Sequence, residues 1–157
     1  MRPMHFAIPL LLVMAAATSA QAEMISPRDQ GKFVTLLRDK GYKAEMIEGT
    51  DGNYIRSADS GVPITIFFLN CESGGKTGCT TIQFYTGFKD VKNVSLDKIN
   101  EWNSTRRFAR AYVDRDGDPV IEMDVDMDFA GIPRENFYAN LDIFIASIPK
   151  FRDFLQK

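Results

Sequence analysis

The strongest constraint on the fold is the strict alternation of acidic and apolar side chains over residues 121–128. A period of two is the period of a β-strand, so every acidic residue lies on one face of that strand. An Asp-Gly pair at residues 116–117, the strongest short-range signal for a β-hairpin, joins this strand to the apolar segment 108–113. We call the acidic face the acidic row; it consists of Glu122, Asp124, Asp126 and Asp128.

The turn type fixes which residues of this hairpin lie opposite each other. A two-residue turn at Asp116-Gly117 pairs Arg107 with Asp126 and Ala109 with Asp124. The acidic row then borders a shallow polar groove or forms a solvated sheet face. The same register puts Arg110 on the opposite face, where no partner for its charge is evident.

The N-terminus has the layout of a secretory signal peptide. Arg2 precedes an apolar stretch over residues 6–17, and Ala20-Gln21-Ala22 matches a small-residue cleavage site. The apolar stretch of 12 residues is shorter than the about 20 that a membrane-spanning helix needs. We therefore expect residues 1–22 to be removed, residues 23–157 to form a single domain, and the product to be periplasmic or secreted, without a membrane span.

Turn clusters at residues 49–53, 59–61 and 71–79 separate short apolar runs. This spacing is typical of an antiparallel meander. The run over residues 63–70 is apolar on both faces, which predicts a strand in the middle of a sheet.

In an oxidising compartment, Cys71 and Cys79 are expected to form a disulfide with a structural role. If the two cysteines face each other across a hairpin, Phe68 lies opposite Ile82 and Leu69 lies opposite Thr81. That register keeps the apolar residues of the two strands together.

Capping residues mark two helices in the sequence. Ser26 followed by Pro27 predicts the start of a helix over residues 27–40, which Gly41 ends. Ser95 predicts the cap of a second, short helix that carries Trp102.

Apolar residues at helical spacing over residues 137–151 predict one face of a long third helix. Pro149 predicts a kink or break in it, because proline lacks the N–H that would bond to residue 145. The order helix, four strands, helix, two strands, helix indicates an α+β fold, with an antiparallel sheet of about six strands and flanking helices.

The composition excludes several classes of function. The chain contains 19 Lys and Arg against 21 Asp and Glu and has no basic cluster, which argues against a nucleic-acid partner. The single histidine, His5, lies in the signal peptide, so the mature domain has no imidazole for Ser-His-Asp or Cys-His catalysis. We expect no cofactor.

The acidic residues suggest two further sites. Asp114, Asp116 and Asp118 have the spacing that opens a calcium loop, but Pro119 and Val125 stand where that loop needs glycine and a bidentate glutamate. They are weak metal candidates. Paired carboxylates of the acidic row could serve a hydrolase only inside an enclosed pocket.

Residues 100–112 read Asn-Glu-Trp-Asn-Ser-Thr-Arg-Arg-Phe-Ala-Arg-Ala-Tyr and continue through Asp114, Gly117-Asp118-Pro119-Val120 and Glu122-Met123-Asp124. Together with Ile66-Phe67-Phe68 and Arg134-Glu135-Asn136-Phe137, this segment resembles the YbjN domain family. The resemblance implies a compact α/β domain similar to type III secretion chaperones, and a regulatory role in sensory transduction with no established reaction or cofactor. It implies binding rather than catalysis, although the signal peptide and the cysteine pair depart from many members.

These observations favour an exported, non-enzymatic binding or regulatory protein that engages a protein or peptide segment. A homodimer would also cover an apolar binding patch. The alternatives are a sensor of a small molecule or divalent cation at the acidic hairpin, and a carboxylate-based hydrolase. The candidate binding residues are Trp102, Asn103, Arg107, Tyr112, Glu122, Asp124 and Asp126.

Overall fold

A computed structural model describes residues 21–72 and 76–156. Most of the predicted signal peptide, residues 1–20, lies outside these residues. Among the described helices, none is long and apolar enough to cross a membrane. The elements in chain order are β1 (Met24–Ile25), α1 (Gln30–Asp39), β2 (Ala44–Glu48), β3 (Asn53–Asp59), β4 (Val62–Leu69), β5 (Thr81–Gly87), α2 (Leu96–Thr105), β6 (Arg110–Val113), β7 (Pro119–Asp126), β8 (Ile132–Pro133) and α3 (Arg134–Leu155).

The main sheet has six antiparallel strands in the order β2-β3-β4-β5-β7-β6. The predicted α+β class and the predicted order of helices and sheet strands are confirmed. Residues 121–126 of the alternating segment lie in a strand, since β7 pairs with β5 on one side and β6 on the other, and the strand ends before Asp128. The edges of the sheet are β2 and β6.

The helices form a layer on one face of this sheet. Phe33 of α1 contacts Phe68 of β4 and Phe137 of α3, with ring centroids 5.7 and 5.2 Å apart. Phe84 of β5 stacks on Phe144 of α3 at 5.4 Å. These side chains are buried and make up the centre of the core. No helix in the described parts of the chain packs on the opposite face of the sheet, which we call the open face.

Helix α1 begins at Gln30, three residues later than its sequence predicts. The N-cap is Asp29, whose side chain accepts a hydrogen bond from the Lys32 N–H at 3.3 Å. Ser26 and Pro27 instead belong to a turn, because Ile25 is buried in a strand and the chain must reverse before the helix starts. Gly41 has a φ of 88° and ends the helix as predicted.

Of the kink or break predicted at Pro149, the break does not occur, since α3 runs through this residue from Arg134 to Leu155. Proline removes one backbone hydrogen bond. Phe144, Ile148 and Phe151 are buried on both sides of it, and their burial holds the two halves of the helix on the sheet.

The β4-β5 hairpin has the register predicted from the cysteines. Phe68 lies opposite Ile82, Leu69 lies opposite Thr81, and Cys71 and Cys79 form a disulfide just beyond the strands. The disulfide closes the loop at the end of two central strands.

The predicted register of the β6-β7 hairpin is wrong by one residue, because Glu122 pairs with Arg110 and not with Ala111, the residue that a two-residue turn would place opposite it. The connection is a three-residue loop: the Asp114 N–H donates to the Asp118 carbonyl oxygen at 2.9 Å. Gly117 has a φ of 80°, as expected for the last residue of such a loop. A one-residue shift turns β6 over, so Arg110 lies on the open face rather than among core residues.

The sequence did not predict the two-stranded sheet of β1 and β8, where Ile25 pairs with Ile132. Gly131, with a φ of 83°, lets the chain pass close to β1, since a Cβ there would overlap the Ile25 carbonyl oxygen. Glu23 forms ion pairs with Lys32 of α1 and Arg134 of α3. The segment before α1 is therefore tied to the start of the last helix.

Candidate binding surface

The open face carries a strip of aromatic side chains along its middle strands. Tyr54 lies 5.8 Å from Phe67 and Phe67 lies 5.6 Å from Tyr85, measured between ring centroids. We call these three residues the aromatic strip. Each is half-buried, and Ile47 of the edge strand β2 continues the strip beside Tyr54. The strip is a largely apolar surface that no described helix covers.

Of the two predictions for the acidic row, a shallow groove and a solvated sheet face, the second does not hold at Glu122, which is buried. Its side chain is 5% exposed and forms an ion pair with Arg110, whose own side chain is 64% exposed. The one-residue register shift explains both residues, since it places Arg110 directly opposite Glu122. Glu122 is therefore the partner for the charge of Arg110, which the predicted register did not provide.

Two phenols complete the surroundings of Glu122. Burial raises the pKa of Tyr112 above its ordinary value of 10.0, and the charge of Glu122 and a hydrogen bond to it raise that pKa further. Burial also raises the pKa of Tyr85, with added contributions from the charges of Asp114 and Glu122. Both phenols are therefore held in the neutral form that donates hydrogen bonds.

The remaining carboxylates on β7 are exposed but have partners on the neighbouring strand. The Gln83 amide donates to Asp124 at 2.8 Å, and the Thr81 hydroxyl donates to Asp126 at 3.5 Å. Arg110 also reaches Asp124, at 3.9 Å. Asp124 and Asp126 are thus held in position by contacts with β5 and β6.

The Trp-Asn pair joins helix α2 to the edge strand β6. Trp102 is buried, and its indole N–H donates to the Ala109 carbonyl oxygen at 3.0 Å. The Asn103 side chain donates to the Ala111 carbonyl oxygen at 3.0 Å and accepts from the Ala111 N–H at 2.8 Å. Arg107 is exposed and lies over the ring of Phe108. These three candidate residues lie beside the open face, not on it.

The three aspartates of the hairpin loop have other partners. One oxygen of Asp114 accepts from the backbone N–H groups of Asp116 and Asp118, at 3.0 and 2.8 Å. Asp118 is buried and forms an ion pair with Lys92. The described residues contain no group of three or more His, Cys, Asp or Glu that could hold a metal ion.

Two depressions border the open face. One of about 710 Å³ lies at the disulfide end, where Asp124, Asp126 and Asp128 share its wall with Arg110. Both strand carboxylates there are exposed to solvent, so this depression lacks the enclosure that a carboxylate hydrolase requires. The other, of about 520 Å³, lies at the opposite end beside Tyr85, Asp114 and Arg152.

Sequence reasoning missed the aromatic strip as a candidate site. The signal was present in residues 63–70, where Phe67 and Leu69 form a second apolar side. That pattern predicts a strand covered on both faces. Because the described helices all pack on one face, the same pattern leaves Phe67 half-exposed here.

The fold and this surface define a two-layer α+β domain with one uncovered sheet face. The chain belongs to the YbjN family, described as "Putative bacterial sensory transduction regulator", whose match covers residues 33–157. Membership of this family supports a non-enzymatic regulatory role. No curated protein and no solved structure matches the chain.

Proposed function

We propose that the mature chain is an exported, non-enzymatic regulatory protein that binds a protein or peptide partner on its open face. The observation that carries the proposal is the aromatic strip, which lies where a second helical layer would otherwise pack. Large, rigid aromatic side chains are enriched at protein interfaces because they bury much surface at low entropic cost.

The charges beside the strip favour a cationic partner. Glu122, Asp124 and Asp126 lie side by side on β7, with Arg110 as their cationic neighbour on β6. This half of the open face has an excess of negative charge, which would attract lysine or arginine side chains of a partner. The disulfide and the predicted signal peptide both support an extracytoplasmic location.

Photocrosslinking from the open face tests this function. A photoreactive phenylalanine analogue replaces Phe67 in the exported protein, and products formed in the native host are identified by mass spectrometry. The matched control places the analogue at Ala146, an exposed position on α3 in the helical layer. We expect one partner protein to crosslink from position 67 and not from position 146.

The substitution Asp124→Lys provides a second control, because it reverses one charge beside the strip without removing a core side chain. It should reduce the yield of the crosslinked partner. Equal crosslinking from positions 67 and 146, or products that contain only a second copy of the chain, would contradict the proposed function.

A further inference from the structure

We propose that the partner docks by adding a β-strand to the free edge of β2, and that this strand is cationic. The inference rests on the proposed function and names the way in which the partner is held. It follows from a difference between the two edges of the main sheet.

The edge at β6 is blocked by α2. Ala111 is at a position whose backbone groups point away from β7, and the Asn103 side chain occupies both its N–H and its carbonyl oxygen. Trp102 occupies the next outward carbonyl oxygen, that of Ala109. A further strand cannot pair with residues 109–111 while these side-chain bonds are in place, which leaves Val113 as the one outward position of β6 without such a bond among the described residues.

The edge at β2 is blocked at one end alone. Arg38 donates two hydrogen bonds to the Ala44 carbonyl oxygen, at 3.1 and 2.8 Å, so the backbone groups of Ala44 point outward. Outward positions alternate along an antiparallel strand, which makes Met46 and Glu48 the next two. The bond from Gly49 N–H to the Gly52 carbonyl oxygen fits this alternation, because it places the odd-numbered residues toward β3.

Backbone groups at Met46 and Glu48 have no hydrogen-bond partner among the described residues. Two N–H groups and two carbonyl oxygens are thus available along one short segment. An extended peptide uses such groups when it adds a strand to an exposed sheet edge.

The charges of β2 identify the occupant as a different chain rather than a second copy. If two β2 strands paired around Met46, the Glu45 carboxylates would lie diagonal to each other. In the neighbouring registers, Glu45 lies opposite the Glu45 of the second copy, or Glu48 lies diagonal to the Glu48 of the second copy. Like charges this close are destabilising, whereas a lysine or arginine of an added strand would lie beside Glu48 on one face of the sheet or beside Glu45 on the open face, where Glu45 already pairs with Arg56 at 3.8 Å.

The position of β2 also connects the edge to the proposed binding surface. Ile47 lies opposite Tyr54 and its side chain is on the open face. An added strand would therefore extend the open face beside the aromatic strip, and its alternate side chains would continue the same apolar surface.

A peptide titration tests strand addition directly. The probe is a short peptide of alternating valine and lysine, blocked at both ends, and its binding to the wild-type protein is measured by fluorescence anisotropy. The control probe has the same side chains with every amide N-methylated, so it keeps charge and apolar surface but cannot donate backbone hydrogen bonds. We expect the methylated probe to bind at least about tenfold more weakly.

Protein variants locate the contact. Met46→Pro removes an outward N–H without removing a bond to β3, and Met46→Ala is its matched control with the backbone donor intact. We expect Met46→Pro to weaken binding of the unmodified probe about tenfold and Met46→Ala to change it less than about threefold. Circular dichroism and thermal unfolding check that both variants are folded. The comparison of the two probes needs no variant, so it remains decisive if Met46→Pro does not fold.

The possible outcomes distinguish failure of strand addition from failure of the proposed function. Equal binding of the two probes, or binding that Met46→Pro leaves unchanged, would overturn strand addition. If Phe67 crosslinks still capture one partner from Met46→Pro cells, the proposed function stands without the β2 edge. If neither crosslinks nor probe binding is detected, both proposals fail.

Discussion

Arg110 lies on the open face, where its guanidinium pairs with the buried carboxylate of Glu122. Removing the cation leaves a buried charge without its partner, which costs more than an exposed ion pair contributes. Since Arg110 itself is mostly exposed, water can replace part of the lost interaction. We expect Arg110→Ala to lower the free energy of unfolding by about 1–3 kcal/mol in urea denaturation.

Two comparisons separate this effect from loss of any arginine. Arg107→Ala, at an exposed position beside Phe108, should cost less than about 0.5 kcal/mol. Adding Glu122→Gln to Arg110→Ala should restore part of the stability, because it removes the unpaired charge. If Arg110→Ala and Arg107→Ala lowered the free energy of unfolding by similar amounts, the buried Glu122 carboxylate would not require Arg110 as its partner.

The raised pKa of Tyr112 makes the free energy of unfolding of the protein depend on pH. Its pKa in the folded protein is raised above 10.0, so above that pH the unfolded chain loses its proton first. The unfolded state then binds fewer protons, and stability falls as pH rises past about 10. At neutral pH, Tyr112→Phe removes the half-buried hydroxyl beside Glu122 and should cost about 1 kcal/mol.

The difference between wild type and Tyr112→Phe should therefore shrink above pH 10, as measured by urea unfolding at pH 7 and at about pH 11. Tyr85 is present in both proteins, so its own raised pKa cancels in the comparison. A difference that stays constant across this range would contradict the assignment.

At the residue scale, the sequence predicted the chemical character of the side chains better than the face of the sheet on which they lie. It identified Arg110 as unexplained and Glu122 as part of an acidic row, but an assumed two-residue turn put them on opposite faces. An Asp-Gly pair fits both a two-residue turn and the end of a three-residue loop. The bond between Asp114 and Asp118 that distinguishes them exists only in the folded hairpin.

At the scale of elements, the contact between α2 and β6 depends on Asn103. Its side chain makes two hydrogen bonds to Ala111, so Asn103→Ala leaves a backbone donor and acceptor without partners. We expect a loss of about 1–3 kcal/mol in the free energy of unfolding. The matched control is Asn140→Ala, which removes an exposed bond within α3 and should cost less than about 0.5 kcal/mol.

Exposure of the β6 edge gives this variant a second readout. If Asn103 also protects the edge, Asn103→Ala should self-associate more readily in analytical ultracentrifugation than Asn140→Ala. A variant as stable and as monomeric as the control would contradict the capping role.

The order of elements was predictable because each carries a local signal. Ser95 caps α2 as predicted, and its side chain accepts from the Lys98 N–H at 3.2 Å. The exceptions depend on distant residues. Helix α1 starts late because Ile25 pairs with Ile132, and α3 passes Pro149 because buried side chains hold both of its halves. Neither partner is visible in a local window of sequence.

At the scale of the whole molecule, the disulfide stabilises more than one hairpin. Gln30 at the start of α1 donates to the Lys76 carbonyl oxygen at 3.0 Å and accepts from Asn53 of β3 at 2.9 Å. The loop between Cys71 and Cys79 is thus attached to a helix and to the meander. Loss of the disulfide should affect global unfolding rather than one loop.

We expect the double substitution Cys71→Ser and Cys79→Ser to lower the free energy of unfolding by about 2–3 kcal/mol, the entropic effect expected for so short a loop. Added reductant should destabilise the wild type by a similar amount and leave the double variant unchanged. Thermal unfolding with and without reductant measures both. If the fully reduced wild-type protein unfolded at the same temperature as the oxidised protein, this would contradict a stabilising disulfide.

The one-sided layering could not be predicted from composition or periodicity. Residues 63–70 are apolar on both faces, which indicates cover on both, yet the helices in the described part of the chain all pack on one side. Phe67 and Tyr85 then remain half-exposed. The described helices and strands therefore leave this apolar surface only partly buried.

The three-residue loop before β7 has a consequence for how such chains can vary. Surface loops usually tolerate insertions and deletions. Here the three-residue loop accompanies a register in which Ala111 faces the helices and Arg110 faces the open face. A single-residue insertion or deletion that shifted this register would turn Ala111 toward solvent and Arg110 toward the core, so such a change should be tolerated only where the loop itself absorbs it.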